Sequence, residues 1–283
     1  IVKLLSTQPD WMEFFMGHKT LRNRISRSLD TFDIDVVTIM PEGDTETFQN
    51  EILEIPGTQF KLHCHSLFYN KNMKITVHRG TDQIGGCVTE YESNGWKLFV
   101  DYGEQLPGAS ISDKQLDVEG LTYGDISKSA LLITHHHSDH IGKIAELPME
   151  LPIYMGKMAK EIALGLANHL SRIGEQHRMM AERLNFVSTF VAGERFSFGE
   201  FDIMPIVVDH SAFDAYAFRI EAGGLKVFHT GDFRTHGFRS GKLTEVIEKY
   251  VGRVNYVVCE ATNVNRHDSI FKPECDLQKE YER

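Results

Sequence analysis

The strongest constraint on this chain is an apolar run that leads straight into a cluster of ligating side chains. Ser129-Ala130-Leu131-Leu132-Ile133-Thr134 reads as a buried strand, and it delivers the chain into His135-His136-His137-Ser138-Asp139-His140-Ile141-Gly142. Alternate side chains at the end of a strand point the same way, so His135 and His137 can face one ion. Asp139 and His140 follow at the turn into the next element, so they can diverge from the first pair and hold a second ion about 3.5–4 Å away. One short loop thus supplies ligands to two sites. Imidazole and carboxylate suit zinc or a neighbouring divalent transition metal, and the lack of a nearby thiolate argues against a structural zinc cage. The competing reading is an accidental surface cluster in a chain with 14 histidines. The H-x-H-x-D-H order at a strand exit speaks against it.

Two later stretches agree with the first. Val207-Val208-Asp209-His210-Ser211 puts a histidine at a strand's exit, and Val227-Phe228-His229-Thr230-Gly231-Asp232-Phe233-Arg234 puts a carboxylate just past another. Either alone is compatible with an ordinary turn residue. With the 135–140 loop they complete a ligand set of His135, His137, Asp139, His140, His210 and Asp232, while His136 and His229 read as structural.

Elements of both kinds surround these loops. Residues 11–29 suggest a helix, 34–39 form a β-branched run, and Pro41-Glu42-Gly43-Asp44 signals a turn before a short helix over 46–53. From residue 73 onward short strands are expected at 74–78, 86–92 and 97–101, with Asn94-Gly95 as a hairpin turn between the last two. Residues 155–184 are mostly good helix formers, broken by Gly156, Gly165 and Gly174 into more than one helix. Strands at 201–208, 215–221, 225–229 and 254–259, and a helix at 242–251 closing before Gly252, give the second half the same rhythm. No repeat period is visible, and 263–283 is polar and charged without a closing element.

A chain of 283 residues accommodates one large α/β domain with an extra segment, and its 41% hydrophobic and 25% charged residues are those of an ordinary globular protein. No run is long enough for a membrane span. The N-terminus, Ile1-Val2-Lys3-Leu4-Leu5, lacks both the features of a secretory signal and an initiating Met, which suggests a fragment or a trimmed chain. Cys64, Cys87, Cys259 and Cys275 form no C-x-x-C pair, so reduced thiols and a cytoplasmic location are expected. The net charge of −10, with no dense Lys/Arg block, counts mildly against a nucleic-acid substrate. A local groove and bound cations can nonetheless attract phosphates within an acidic protein.

The spacing of these stretches resembles the metallo-β-lactamase superfamily across residues 73–262. The resemblance implies a four-layer αβ/βα sandwich with two divalent metal ions at one edge, zinc first and manganese as the alternative. It assigns Asp101, in Leu98-Phe99-Val100-Asp101-Tyr102-Gly103, to the first motif, where it supports the metal loop without touching the ions. The second motif takes in His135, His137, Asp139 and His140, the third His210, and the fourth Asp232, whose carboxylate bridges both metals. His229-Thr230-Gly231-Asp232-Phe233-Arg234 and Cys259-Glu260-Ala261-Thr262-Asn263 further resemble the β-CASP nucleases, ribonuclease J among them. There Glu260 matches the acidic residue of the first motif of the inserted β-CASP domain. Ala212-Phe213 departs from the residues usual in that group, and its two later histidine motifs have no counterpart before Arg283. Either the protein continues, or a partner completes the second metal's shell, or that shell stays open.

The expected division is therefore an N-terminal α/β segment of unassigned role at 1–72, a metallo-β-lactamase-like body at 73–262, and the start of a β-CASP-like insertion or tail at 263–283. The expected chemistry is hydrolysis of a phosphodiester in RNA or single-stranded DNA through a metal-bridged hydroxide, with Asp139 orienting the nucleophile, Asp101 fixing the loop and Glu260 assisting. A small-molecule ester or lactone hydrolase of the same fold and a non-catalytic metal-containing binding protein are the alternatives. No membrane partner is expected, and homo-oligomerisation is left open.

Overall fold

The computed structural model describes residues 73–80, 83, 85–106, 116–260 and 272–282, together with the backbone of five short strands before residue 73. Those five are β1 (Val2–Lys3), β2 (Thr38–Pro41), β3 (Ile52–Glu54), β4 (Phe60–His63) and β5 (Leu67–Asn70). The helix expected at 11–29 lies outside the described residues. Of the short helix expected at 46–53, only Ile52 and Leu53 are described, and they belong to β3.

Strands β6 (Met73–Arg79), β7 (Val88–Ser93) and β8 (Trp96–Val100) form an antiparallel meander, with β7 and β8 joined at the Asn94-Gly95 turn and Ser93 paired to Trp96. Strand β9 (Ser129–Leu132) lies parallel to β8 and is followed by the short helix α1 (Ser138–Ile141). Next come β10 (Ile153–Gly156), helices α2 (Lys157–Leu170) and α3 (Glu175–Asn185), and β11 (Ser188–Phe190). The helical stretch expected at 155–184 breaks at Gly174, which precedes α3, and it starts two residues late because Met155 and Gly156 finish β10. These strands make a seven-stranded sheet in the order β11-β10-β9-β8-β7-β6-β5.

The second sheet begins with β12 (Phe196–Phe198), β13 (Phe201–Val207), β14 (Tyr216–Ala222) and β15 (Leu225–His229). Helix α4 (Leu243–Tyr250) then leads to β16 (Tyr256–Val258), which lies parallel to β15. With β1 to β4 added, it has nine strands in the order β12-β13-β14-β15-β16-β1-β2-β4-β3. Strands from before residue 73 thus extend both sheets. Residues 272–282, expected to lack a closing element, contain helix α5 (Glu274–Tyr281), which begins at Pro273 with Glu274 and Asp276 in its first turn.

Alternation along the strands builds two cores. From β8, Leu98 and Val100 enter an inter-sheet core with Met73, Ile75, Leu132, Ile203, Phe218 and Val227, while Phe99 points the other way. There it meets Leu131, Ile133, Ile153, Met155 and the helical residues Ile141, Ala159, Ala181 and Leu184. Both faces of β8 and β9 are covered, which is why their sequences read as unbroken apolar runs. On the outer side of the second sheet, Leu243 and Ile247 of α4 are buried, and Arg219 of β14 donates to the Tyr250 carbonyl at the end of that helix at 2.9 Å. Helix, sheet, sheet and helix give the four layers that the sequence led us to expect.

Candidate metal centre

Every candidate residue sits just past the C-terminal end of a strand. Asp101 follows β8, the 135–140 loop follows β9, His210 follows β13, Asp232 follows β15 and Glu260 follows β16. The two sheets are tied together at this edge by a bond from the Tyr216 backbone N–H to the Thr134 carbonyl at 2.9 Å. Gly231 supports the same closure, because at its φ of +55° an added Cβ would stand 2.8 Å from the Tyr216 carbonyl oxygen and 2.9 Å from Thr134 Cγ2. The Asp232 loop can therefore approach the 135–140 loop only with glycine in that place.

Asp101 organises the first loop. It is buried, with φ of 61°, in the left-handed region that Asp and Asn tolerate better than most residues. Its Oδ1 accepts the Thr134 backbone N–H at 2.8 Å, and its Oδ2 accepts both the Thr134 hydroxyl and His140 Nδ1, each at 2.8 Å. With its one proton given to Asp101, Thr134 Oγ1 accepts from His135 Nδ1 at 3.0 Å. Nδ1 of each histidine is thereby engaged, which leaves Nε2 facing the site as the nitrogen that a metal ion would take. Gly103 secures the loop from behind. Tyr102 N–H bonds the His140 carbonyl and Glu104 N–H the Ser138 carbonyl, both at 2.9 Å.

The ring nitrogens converge. His135 Nε2 lies 3.1 Å from His137 Nδ1, and His210 Nε2 lies 3.3 Å from that same atom. His140 Nε2 stands 3.4 Å from Asp232 Oδ2 and 3.6 Å from Asp139 Oδ2, while Asp232 Oδ2 is 3.8 Å from His210 Nε2. Two sets emerge whose ligand atoms all lie within 4.8 Å of one another: His135, His137 and His210, and His135, His140 and Asp232. Five of the six expected ligands enter these sets. Asp139 stands beside His140 but completes neither set, and His135 belongs to both, where the sequence led us to expect separate pairs.

The electrostatics divide the histidines. Burial holds His135 well below its ordinary value, assisted by repulsion from His140 and His210. Burial also lowers His137, and it takes His210 down to about 4 against the pull of Asp232. His140 goes the other way, because Asp232 and Asp101 outweigh its burial and raise it well above 6.5. Burial would raise Asp232, yet His140 above all, with help from His210 and His137, brings its carboxyl down to about 2. Three neutral imidazoles aimed into one space cannot all be satisfied by N–H···N bonds among themselves, whereas a cation can accept every lone pair. A flanking anionic carboxylate and the absence of thiolate from both sets suit a borderline divalent ion.

The remaining expectations fall around this core. Glu260 is half-buried and lines one small cavity with Asp101, His140, His229 and Asp232, its backbone N–H donating to Thr230 Oγ1 at 3.2 Å. His229, expected to be structural, is buried and bonded through Nδ1 to the Tyr91 hydroxyl at 2.8 Å. His136, also expected to be structural, enters neither set. Among the described residues Cys87, Cys259 and Cys275 form no disulfide. Sequence reasoning gave no role to Thr134, although a hydroxyl closing an otherwise apolar strand was a usable signal. It also missed the pair of Asp209 and Arg234, in which Oδ1 of buried Asp209 accepts from Arg234 Nε at 3.0 Å and ties the loop of His210 to that of Asp232.

A family model described as the β-lactamase superfamily domain matches residues 126–278, more than half of the chain and all of the loops above except that of Asp101. The chain belongs to the metallo-β-lactamase superfamily. Among curated proteins it is similar to ribonuclease J of Helicobacter pylori (strain B128), 28% identical over 235 residues, covering 77% of this chain and 33% of the relative. It is likewise similar to ribonuclease J of Mycobacterium tuberculosis (strain CDC 1551 / Oshkosh), 28% identical over 170 residues, covering 57% and 28%. The chain spans about a third of the length of these relatives. Among solved structures, a protein of unknown function from Enterococcus faecalis V583 shares the fold, with a TM-score of 0.52 and 24% identity over 64% of this chain and 48% of that one. No helix among the described residues of this superfamily member is long and apolar enough to cross a membrane.

Proposed function

We propose that this chain carries the hydrolytic half of a ribonuclease J-like β-CASP enzyme that cleaves phosphodiester bonds of RNA. The observation that carries the reading is the convergence of His135, His137, His210, His140 and Asp232 at the junction of the two sheets, in a chain similar over three quarters of its length to ribonuclease J. The body at 73–262 holds the centre, and residues 263–283 lead toward the inserted domain. A cytoplasmic location and zinc, with manganese as the alternative, go with this reading.

In it, His135, His137 and His210 would hold one divalent ion, and His140 and Asp232, with Asp139 beside them, a second. When bound, the ions supply Lewis acidity, acidifying water near neutral pH and neutralising charge on the phosphoryl oxygens. The side chains do the rest. Asp139, beside His140, orients the attacking water, and Asp101 and Thr134 hold His135 and His140 in the tautomer that keeps each Nε2 lone pair available. Glu260 acts from the neighbouring strand end as an acceptor for a proton or a substrate hydroxyl.

The test is metal-dependent cleavage of a labelled single-stranded RNA by the full chain, abolished in His137→Ala. The net charge of −10 favours a second reading, a hydrolase of small esters or lactones. Turnover of such a compound by metal-loaded protein that leaves RNA and single-stranded DNA intact replaces the first reading with the second.

A further inference from the structure

The loop that delivers His210 carries a second feature that no ligand role explains. Three residues beyond His210, Phe213 stands 57% exposed between the buried Ala212 and the half-buried Asp214. This exposure is not that of a loose tip. Asp214 sits in the left-handed region at φ of 65°, and its carboxylate is clamped from three sides. Its Oδ2 accepts the first backbone N–H groups of α2, from Met158 at 2.8 Å and Ala159 at 3.0 Å, and its Oδ1 accepts the Tyr216 hydroxyl at 2.7 Å. The other end of the loop is fixed at Asp209, whose carboxylate accepts Arg234 Nε and, at 2.7 Å, the Arg239 backbone N–H. Phe213 is thus an apolar ring held in water on a rigid mount.

Arg239 completes the feature. Its guanidinium carbon lies 6.0 Å from the centre of the Phe213 ring, and it has no carboxylate partner among the described residues. An exposed aromatic ring with a guanidinium over it, which has no carboxylate partner among the described residues, is matched to a flat π-system that carries its own anion. An unpaired nucleobase next to the phosphodiester being cleaved meets that description. The ring stacks on the base, and Arg239 reaches a flanking phosphate.

We infer that Phe213 and Arg239 form a stacking platform that seats an unpaired base beside the scissile phosphate. This rests on the nuclease reading above and adds a place where the substrate is gripped. A rigid, pre-formed ring is suited to the task because little ordering accompanies binding.

The test compares a short single-stranded RNA with the same RNA carrying an abasic residue beside the cleaved bond. The full, metal-loaded chain is measured as wild type, Phe213→Ala, Phe213→Tyr and Arg239→Gln. KM is read from cleavage, and Kd from fluorescence anisotropy on a slowly hydrolysed phosphorothioate version of each RNA. Wild type is expected to bind the abasic RNA about tenfold more weakly, the contribution of one base–aromatic stack. Phe213→Ala is expected to bind the two RNAs alike, while Phe213→Tyr keeps the preference. Arg239→Gln is expected to weaken both and to lower the salt slope by about one counterion. An abasic penalty of equal size in wild type and Phe213→Ala overturns the platform and leaves the nuclease reading standing. Failure of wild type to cleave any RNA overturns the nuclease reading, and the anisotropy data still decide whether the platform exists.

Discussion

Asp101→Asn isolates what the buried carboxylate does for the metal loop. The backbone is not at issue, since Asn adopts the left-handed conformation at φ of 61° as readily as Asp. Asp101 accepts three hydrogen bonds, two on Oδ2 alone, from Thr134 Oγ1 and His140 Nδ1, each at 2.8 Å. In the best orientation of Asn the carbonyl oxygen stays on Thr134 N–H and the amide nitrogen replaces Oδ2. An amide N–H cannot accept from His140, so that imidazole must turn a lone pair toward the amide and move its proton to Nε2. This is the atom that faces Asp139 and Asp232, and a protonated nitrogen is no ligand. Loss of one such support weakens metal binding by about 10–100-fold. Stability without metal should suffer less, because burial penalises the Asp101 carboxylate and pushes its pKa up, a penalty that the neutral amide escapes. The expected outcome is a large fall in zinc affinity, measured by competition with a chromogenic chelator, with only a small change in the melting temperature of the metal-free chain. Zinc affinity within about twofold of wild type, well short of the usual cost of losing such a support, would refute the tautomer argument.

Two further outcomes follow from features outside the ligand set. In Gly103→Ala the new Cβ would lie 1.8 Å from the Asp139 carbonyl oxygen and 2.3 Å from His140 N. Backbone atoms there cannot step aside, so a loss of about 3 kcal/mol or more is expected in urea unfolding, together with reduced metal content, and full retention of both would show that the loop yields. Glu90 is held below its ordinary value of 4.5 because, against its burial, His78 bonds it at 2.6 Å and Lys97 lies 3.3 Å away. A depressed folded-state value stabilises the chain above about pH 4.5 and stops doing so as pH falls through it. The melting temperature should therefore drop more steeply on acidification in wild type than in Glu90→Gln, and parallel pH curves would contradict this.

The parts of the fold that could be read from the sequence are those where one residue type has one physical use. Apolar runs such as 129–134 can only be covered strands here, and Gly252 at φ of +59° ends α4 where a helix was expected to close. The ligands stood out for a similar reason, since imidazole and carboxylate side chains gather at the exits of apolar strands only when something pays for leaving them half-buried. Strands β11 and β12 escaped notice because each has three residues and lies toward the edge of its sheet, too short for alternation to register. Helix α5 was missed because it buries no side chain among the described residues, so it shows no apolar stripe and is signalled only by Pro273 and the acidic first turn. The supports of the site were the hardest to see. Thr134, Asp209 and Arg234 act through partners up to 40 residues away, and the local pattern around Asp209 and Arg234 does not distinguish a supporting ion pair from an ordinary one.

The division of ligands between the sheets links metal binding to the fold itself. His135, His137 and His140 come from the seven-stranded sheet, His210 and Asp232 from the nine-stranded one, and each ligand set draws on both. Any opening of the inter-sheet core around Leu98, Val100, Phe218 and Val227 therefore separates the members of both sets at once. Because the open state cannot hold a metal ion, a metal that binds would favour the closed one, by about 2.7 kcal/mol at a hundredfold excess over the dissociation constant. The same linkage runs in reverse: substitutions in that core, far from any ligand, weaken metal affinity to the extent that they populate the open state. The chemistry at the edge and the packing beneath it are two measurements of one equilibrium.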